Sequence, residues 1–266
     1  MKCTIVAAAL ALTWTGTALA QGLYWESKIT GGPRGEQTSQ SYAMPKKFKT
    51  TRENGSTIMR VDKEVLWQLR DKERTYTAMT FADLEQMGRK SNAMMEKAKA
   101  DMEHQLASLP PEQRESMRKM MANMPSAAAG SDAPAEVKAT GEKKTINGFA
   151  CSKYIIDSGG NQQAVVWATK DVKDFEAMRK DWEEFNKRMM AMTPRGNNSL
   201  GAAFAKIDGF AIQTEMGPGI TTTVTKVEQR AIADSEFEVP SGYSLEKNTL
   251  LEDMDGAHQR PKPKRN

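Results

Sequence analysis

Residues 56–80 read STIMRVDKEVLWQLRDKERTYTAMT. Val65, Trp67 and Leu69 alternate with Leu66, Gln68 and Arg70, and Asp71-Lys72-Glu73 then interrupts before residues 74–80 resume. Side chains of a strand point alternately to its two faces, so a period of two broken by a polar turn predicts a β-hairpin. Residues 145–169, TINGFACSKYIIDSGGNQQAVVWAT, echo it with Tyr154-Ile155-Ile156, a turn at 158–161, and residues 164–168 apolar on both faces. These pairs predict a fold mainly β with α: a curved antiparallel sheet covered by amphipathic helices.

Outward from the hairpin, Leu23, Trp25 and Ile29 share one face of a first strand, with Tyr24, Glu26 and Lys28 on the other. Residues 31–35 (GGPRG) break it. Segments 40–44 and 47–52 carry weaker strand patterns. Asn54-Gly55 is a strong hairpin signal, because a type I′ turn needs positive φ at both central positions; Asn147-Gly148 is a second. After residue 80 the period changes. Leu84, Met87, Met94 or Met95, Ala98, Met102, Leu106 and Leu109 recur at threes and fours, with Ser91 filling the one gap in the stripe, which predicts an amphipathic helix over 81–109. Pro110-Pro111 ends it and opens a second helix, since proline fits a first helical turn. Residues 171–192 form a third, with the stripe Phe175, Met178, Trp182, Phe185, Met189 and Met192 and with Asp171 as N-cap. Residues 199–205 suit a short helix or a loop equally. Segments 209–216 and 221–230 complete the sheet, and Phe237, Val239 and Tyr243 form a final tie-down. The expected organisation is a signal peptide at 1–20, one β-rich domain at 21–246, and a basic tail at 247–266. The domain contains a helical-hairpin insertion (81–125) and a linker (126–136).

The composition narrows the function classes. Lys2, an uncharged apolar run at 4–14 and Ala18-Leu19-Ala20 have the form of a cleavable secretory signal, which implies export to a bacterial periplasm. The formal charge is +4 with both signs interspersed, so no basic stripe marks a nucleic-acid binder. No segment after the signal is long and apolar enough to span a membrane. Cleavage removes Cys3 and leaves Cys151 alone, so the mature chain has no intramolecular disulfide. The apolar neighbours of Cys151 point to a buried strand thiol. A cysteine nucleophile needs a base, and the two histidines, His104 and His258, fall in other segments. No phosphate loop, zinc spacing, paired-carboxylate or serine-hydrolase pattern occurs, so no enzyme, cofactor or catalytic residue is expected.

Two residue classes carry the remaining signal. The chain has 18 methionines. Met117, Met120, Met121 and Met124 share a helix face, where thioethers would bind Cu(I) or fill an adaptable apolar stripe. Trp25, Trp67 and Trp167 lie on predicted strands, and Trp182 lies on the third helix. Bulky aromatics in these places are core, or they line a ligand cavity together with Phe175, Phe185 and Met189.

Several segments together resemble a known family. They are Tyr24-Trp25-Glu26, Met59-x-Val61-Asp62, 72–77 (KERTYT), 144–154 (KTINGFACSKY), 166–171 (VWATKD) and 237–243 (FEVPSGY). They are similar to an uncharacterised envelope family, domain of unknown function 4412, interrupted here by the methionine-rich insertion. That family in turn resembles the periplasmic lipoprotein-localisation carriers of LolA/LolB type. The resemblance implies an incomplete antiparallel barrel whose helices lie over a cavity for acyl chains, and it brings no catalytic residue. Three functions follow as expectations. The first is a non-enzymatic periplasmic binder of an apolar ligand, lipid or lipidated protein. The alternatives are an envelope protein–protein interaction module using the methionine-rich hairpin, and a Cu(I)-handling protein.

Overall fold

The computed structural model describes residues 20–33, 35–123, 135–158, 161–173, 175–190, 198–217 and 219–248. The first half of the chain supplies β1 (Ala20–Thr30), β2 (Gln37–Met44), β3 (Lys47–Arg52), β4 (Gly55–Arg60), β5 (Val65–Arg70) and β6 (Thr75–Thr80). Helices α1 (Phe81–Ala107) and α2 (Pro111–Asn123) follow, then β7 (Glu136–Ile146), β8 (Phe149–Ser158) and β9 (Asn161–Thr169). The chain continues through α3 (Phe175–Met190), α4 (Asn198–Phe204), β10 (Phe210–Met216), β11 (Ile220–Ile232), a 3-10 turn at Asp234–Phe237 and β12 (Ser244–Leu245).

Among the described residues, all twelve strands join one sheet in the order β12-β6-β5-β4-β3-β2-β1-β11-β10-β9-β8-β7. The outermost strands, β12 and β7, lie at opposite ends and share no ladder, so the sheet is open. This overturns the expectation of a curved sheet forming an incomplete, LolA-like β-barrel. Closure needs two edges of matching length and register. Here one edge is a two-residue strand running parallel to β6. The other is an exposed strand with an irregular register between Ala139 and Lys143 and lysines along it, features that blunt an edge against further pairing.

Register explains how the sheet acquires its core. Leu23, Ala43, Phe48, Met59, Leu66 and Met79 stand opposite one another across six consecutive strands. All six are buried in the main cluster, where Phe81 and Leu84 of α1, Val172 of the loop before α3 and Met178 of α3 join them. Alternation sends Ile58, Leu69 and Trp67 into a second cluster with Phe237, Ile232 and Tyr243. A third cluster joins Ile156, Ala164, Val166 and Ala168 to Ala203 and Ile207. β9 is therefore buried on both faces, as its unbroken apolar run predicts.

Local chemistry sets the boundaries. Asn147 (φ 48°) and Gly148 (φ 84°) both take the positive φ of a type I′ turn. At the other Asn-Gly pair only Gly55 does (φ 138°), pairing with Arg52 as the first residue of the returning strand. A β-carbon there would overlap the Leu69 carbonyl oxygen. Thr80 and Asp83 form a reciprocal capping box that starts α1. Pro110-Pro111 separates the helices as predicted, and Arg114 donates to the orphan carbonyls of Leu106, Ala107 and Leu109. Asp171 is not the cap of α3, which starts at Phe175; it accepts a hydrogen bond from the Ala150 amide at 3.4 Å. The segment 199–205 resolves as α4. β7 begins at Glu136, ahead of the pattern visible from Lys144, because its first residues are exposed and carry no apolar alternation.

Candidate functional site

A cavity of about 250 Å³ lies between the sheet and α3. Leu23, Trp25, Ala43 and Phe48 form its wall on β1 to β3, and Phe175 and Met178 close it from α3. Phe210, Ala211 and Val224 complete the apolar lining from β10 and β11; Ser27, Thr214 and Thr222 supply the polar part. The ring of Phe210 is its pivot. It meets Trp25 edge-on at 5.6 Å and Phe175 edge-on at 5.0 Å, the favoured T-shaped arrangement. An apolar cavity of roughly 150 Å³ already admits a benzene-sized guest. This one is larger, though below the roughly 300–1,000 Å³ of drug-sized pockets. Taking a methylene as occupying about the 30 Å³ of a liquid water molecule, the space matches about eight chain carbons.

The structure sorts the sequence-predicted residues sharply. It brings Trp25 and Phe175 together in the cavity wall. Trp67 is elsewhere, in the cluster around Phe237, with the Lys63 ammonium 5.7 Å from its ring. Trp167 is buried in the main cluster but outside the cavity wall; the Lys144 ammonium sits 4.4 Å from its ring and donates to Gln213 at 3.1 Å. The side chains of Trp182, Phe185 and Met189 lie outside the described residues, as do those of Met120 and Met121 and all of Met124. Met117 is exposed. Sequence reasoning missed Leu23, Phe48, Phe210 and Val224 as lining residues, and placed Met178 only in the helix stripe. Their strands were visible in the alternation, but which face would receive a helix was not.

No ionisable side chain of the described residues lines this cavity. Arg60 is buried and donates to Asp62 at 2.6 Å and to Glu238, which Lys63 also binds at 2.8 Å. The hydrogen bond from Arg60 holds the Asp62 carboxyl below its usual range despite burial. Burial raises Glu238, but the bonds from Lys63 and Arg60 outweigh it and leave that carboxyl lowered too. Tyr24 donates to Glu26 at 2.7 Å, and burial together with that carboxylate pushes the phenol up to about 12. Cys151 is a buried free thiol whose pKa desolvation raises, the opposite of an activated nucleophile. Among the described residues no group of three or more His, Cys, Asp or Glu side chains is placed to hold a metal ion. No described helix is long and apolar enough to cross a membrane.

Residues 83–243 match the family described as Domain of unknown function (DUF4412). The chain belongs to the DUF4412 family. The matched span runs from the first turn of α1 to the tie-down after β11, so it contains Phe175, Met178, Phe210 and Val224. The β1–β3 wall of the cavity lies outside it. No curated protein matches this DUF4412 chain. Among solved structures, an uncharacterized conserved protein from Thermus thermophilus is similar over 85% of this chain and 90% of its own, with TM-score 0.43 and 7% identity. PNGF-II is similar over 88% of this chain, with TM-score 0.38 and 12% identity; the chain spans 32% of its length. At TM-scores below 0.5 neither likeness bears on the fold or the function.

Proposed function

We propose that this chain is a non-enzymatic periplasmic binding protein for an apolar ligand, the acyl chain of a lipid or of a lipidated protein. The observation that supports this reading is the aromatic-walled cavity of about 250 Å³ under α3. Burying a methylene there contributes about 0.8 kcal/mol, so affinity climbs with chain length and levels off near eight carbons. Among the described residues the lining is apolar apart from three hydroxyls, which suits holding a molecule rather than transforming it. Export places the protein where envelope lipids are the ambient ligands, and the mature protein then begins at Gln21. Native mass spectrometry of protein isolated from a periplasmic fraction tests the reading. An adduct that organic extraction identifies as acyl-bearing supports it. A ligand-free protein that also fails to take up decanoate refutes it.

A second reading rests on Met95, Met102 and Met117, which stay more than 40% exposed on α1 and α2. Soft, flexible thioethers suit helix-in-groove recognition of an envelope protein. Replacing all three with glutamine then removes partner capture while the β domain stays folded; capture that survives refutes this version.

A further inference from the structure

We infer that the ligand is a single-chain amphiphile with an anionic oxygen head, carboxylate or phosphate, seated beside Arg52 on the same sheet face as the cavity. This rests on the cavity reading above and specifies its ligand. Two residues along from the buried apolar row, the register aligns Trp25, Ser41, Thr50, Thr57, Gln68 and Thr77. Two residues further on, Ser27, Ser39, Arg52 and Gly55 stand opposite one another. A strand returns to the same face every second residue, so these polar rows continue the face that carries the core. Trp25 and Ser27 head the two rows and also line the cavity. Apolar pocket and polar rows therefore meet at those two side chains.

The far part of the rows forms a separate groove of about 690 Å³, which Arg52, Thr57, Gln68, Arg70 and Thr77 help to line. Among the described residues, four charged ones border it. Glu36 is held by Lys28 at 2.7 Å and Arg70 by Glu246, while Glu53 sits in the β3–β4 turn. Arg52 forms no ion pair among the described residues, and its exposed side chain lines the groove. With strands about 4.8 Å apart, the Arg52 backbone lies about 10 Å from Ser27. A head group emerging from the cavity past Ser27 is thus within the span of an arginine side chain. Its planar fork matches a carboxylate or phosphate, and the hydroxyls and amide of the neighbouring row can take the remaining oxygens.

The test uses the full chain, delipidated, with decanoate, decyl phosphate and 1-decanol below their aggregation limits, read by calorimetry at low salt and at 0.5 M NaCl. Both anionic probes bind about fivefold tighter than decanol at low salt, and the margin shrinks at high salt. Arg52→Gln removes the margin and leaves decanol affinity within twofold, while Arg52→Lys retains most of it. The unchanged decanol affinity shows that the variant still folds. If all three probes bind the wild type equally, or if Arg52→Gln keeps the margin, the head-group assignment is overturned and the cavity stands. If no probe binds, the cavity reading itself fails and this assignment falls with it.

Discussion

Ala43→Leu separates a ligand cavity from a core that is already full. Ala43 is buried, lies in the six-strand apolar row and lines the cavity between Leu23 and Phe48. The substitution adds three carbons, which occupy roughly 90 Å³ at about 30 Å³ each, well inside the 250 Å³ present. Filling apolar space contributes about 0.8 kcal/mol per carbon, or about 2.4 kcal/mol, and fixing the leucine rotamer costs about 0.5–1 kcal/mol. The ligand-free protein therefore gains about 1.5 kcal/mol in urea unfolding, seen as a higher midpoint at constant slope. The added leucine displaces about three ligand methylenes, so decanoate affinity drops about 50-fold at roughly 0.8 kcal/mol each. A core without usable space behaves in the opposite way. Overpacking then destabilises by about 1–3 kcal/mol, and decanoate binding, if any, is unaffected. That pair of results refutes the cavity.

Trp67→Ala costs about 3 kcal/mol of stability through the cluster around Phe237 but leaves decanoate affinity unchanged, which unfolding and calorimetry on one variant establish together. Asp62 and Glu238 have folded pKa values below their unfolded ones. Their contribution is complete above about pH 4.5 and is lost as pH falls through the depressed values; a thermal-melt series from pH 6 to 3 shows this loss, and Arg60→Met flattens it. Cys151, buried and with a raised pKa, reacts with a maleimide at pH 7.5 only at the rate of local or global unfolding, which quenched-flow labelling against urea concentration measures.

The sequence revealed the sheet's parts better than their closure. Alternation in Val65–Arg70 and the doubly apolar run of β9 mark strands because side-chain period is a local property. Pro110-Pro111 and Asn147-Gly148 mark boundaries because they act through φ alone. Whether β7 and β12 meet depends on edges far apart in the chain, and the same alternation serves an open sheet and a barrel. The parallel pairing of Ser244 and Leu245 with Thr75 and Tyr76 leaves no pattern in two residues. The site was half legible for a related reason. Trp25 and Phe175 face the cavity and Trp67 does not, although all three are aromatics on amphipathic elements. Leu66 and Trp67 necessarily point to opposite faces, and only the packing of α3 decides which face carries the cavity. Phe210 depends on the irregular register between Ala211 and Gln213, which strand periodicity does not announce.

The most direct test of the central claim is a crystal structure with 10-bromodecanoate, located by its bromine anomalous signal. One dominant peak is expected among Trp25, Phe175, Met178 and Phe210, with the carboxylate emerging past Ser27. A peak at the exposed methionines of α1 and α2 instead, or a cavity left empty at saturating probe, would contradict it.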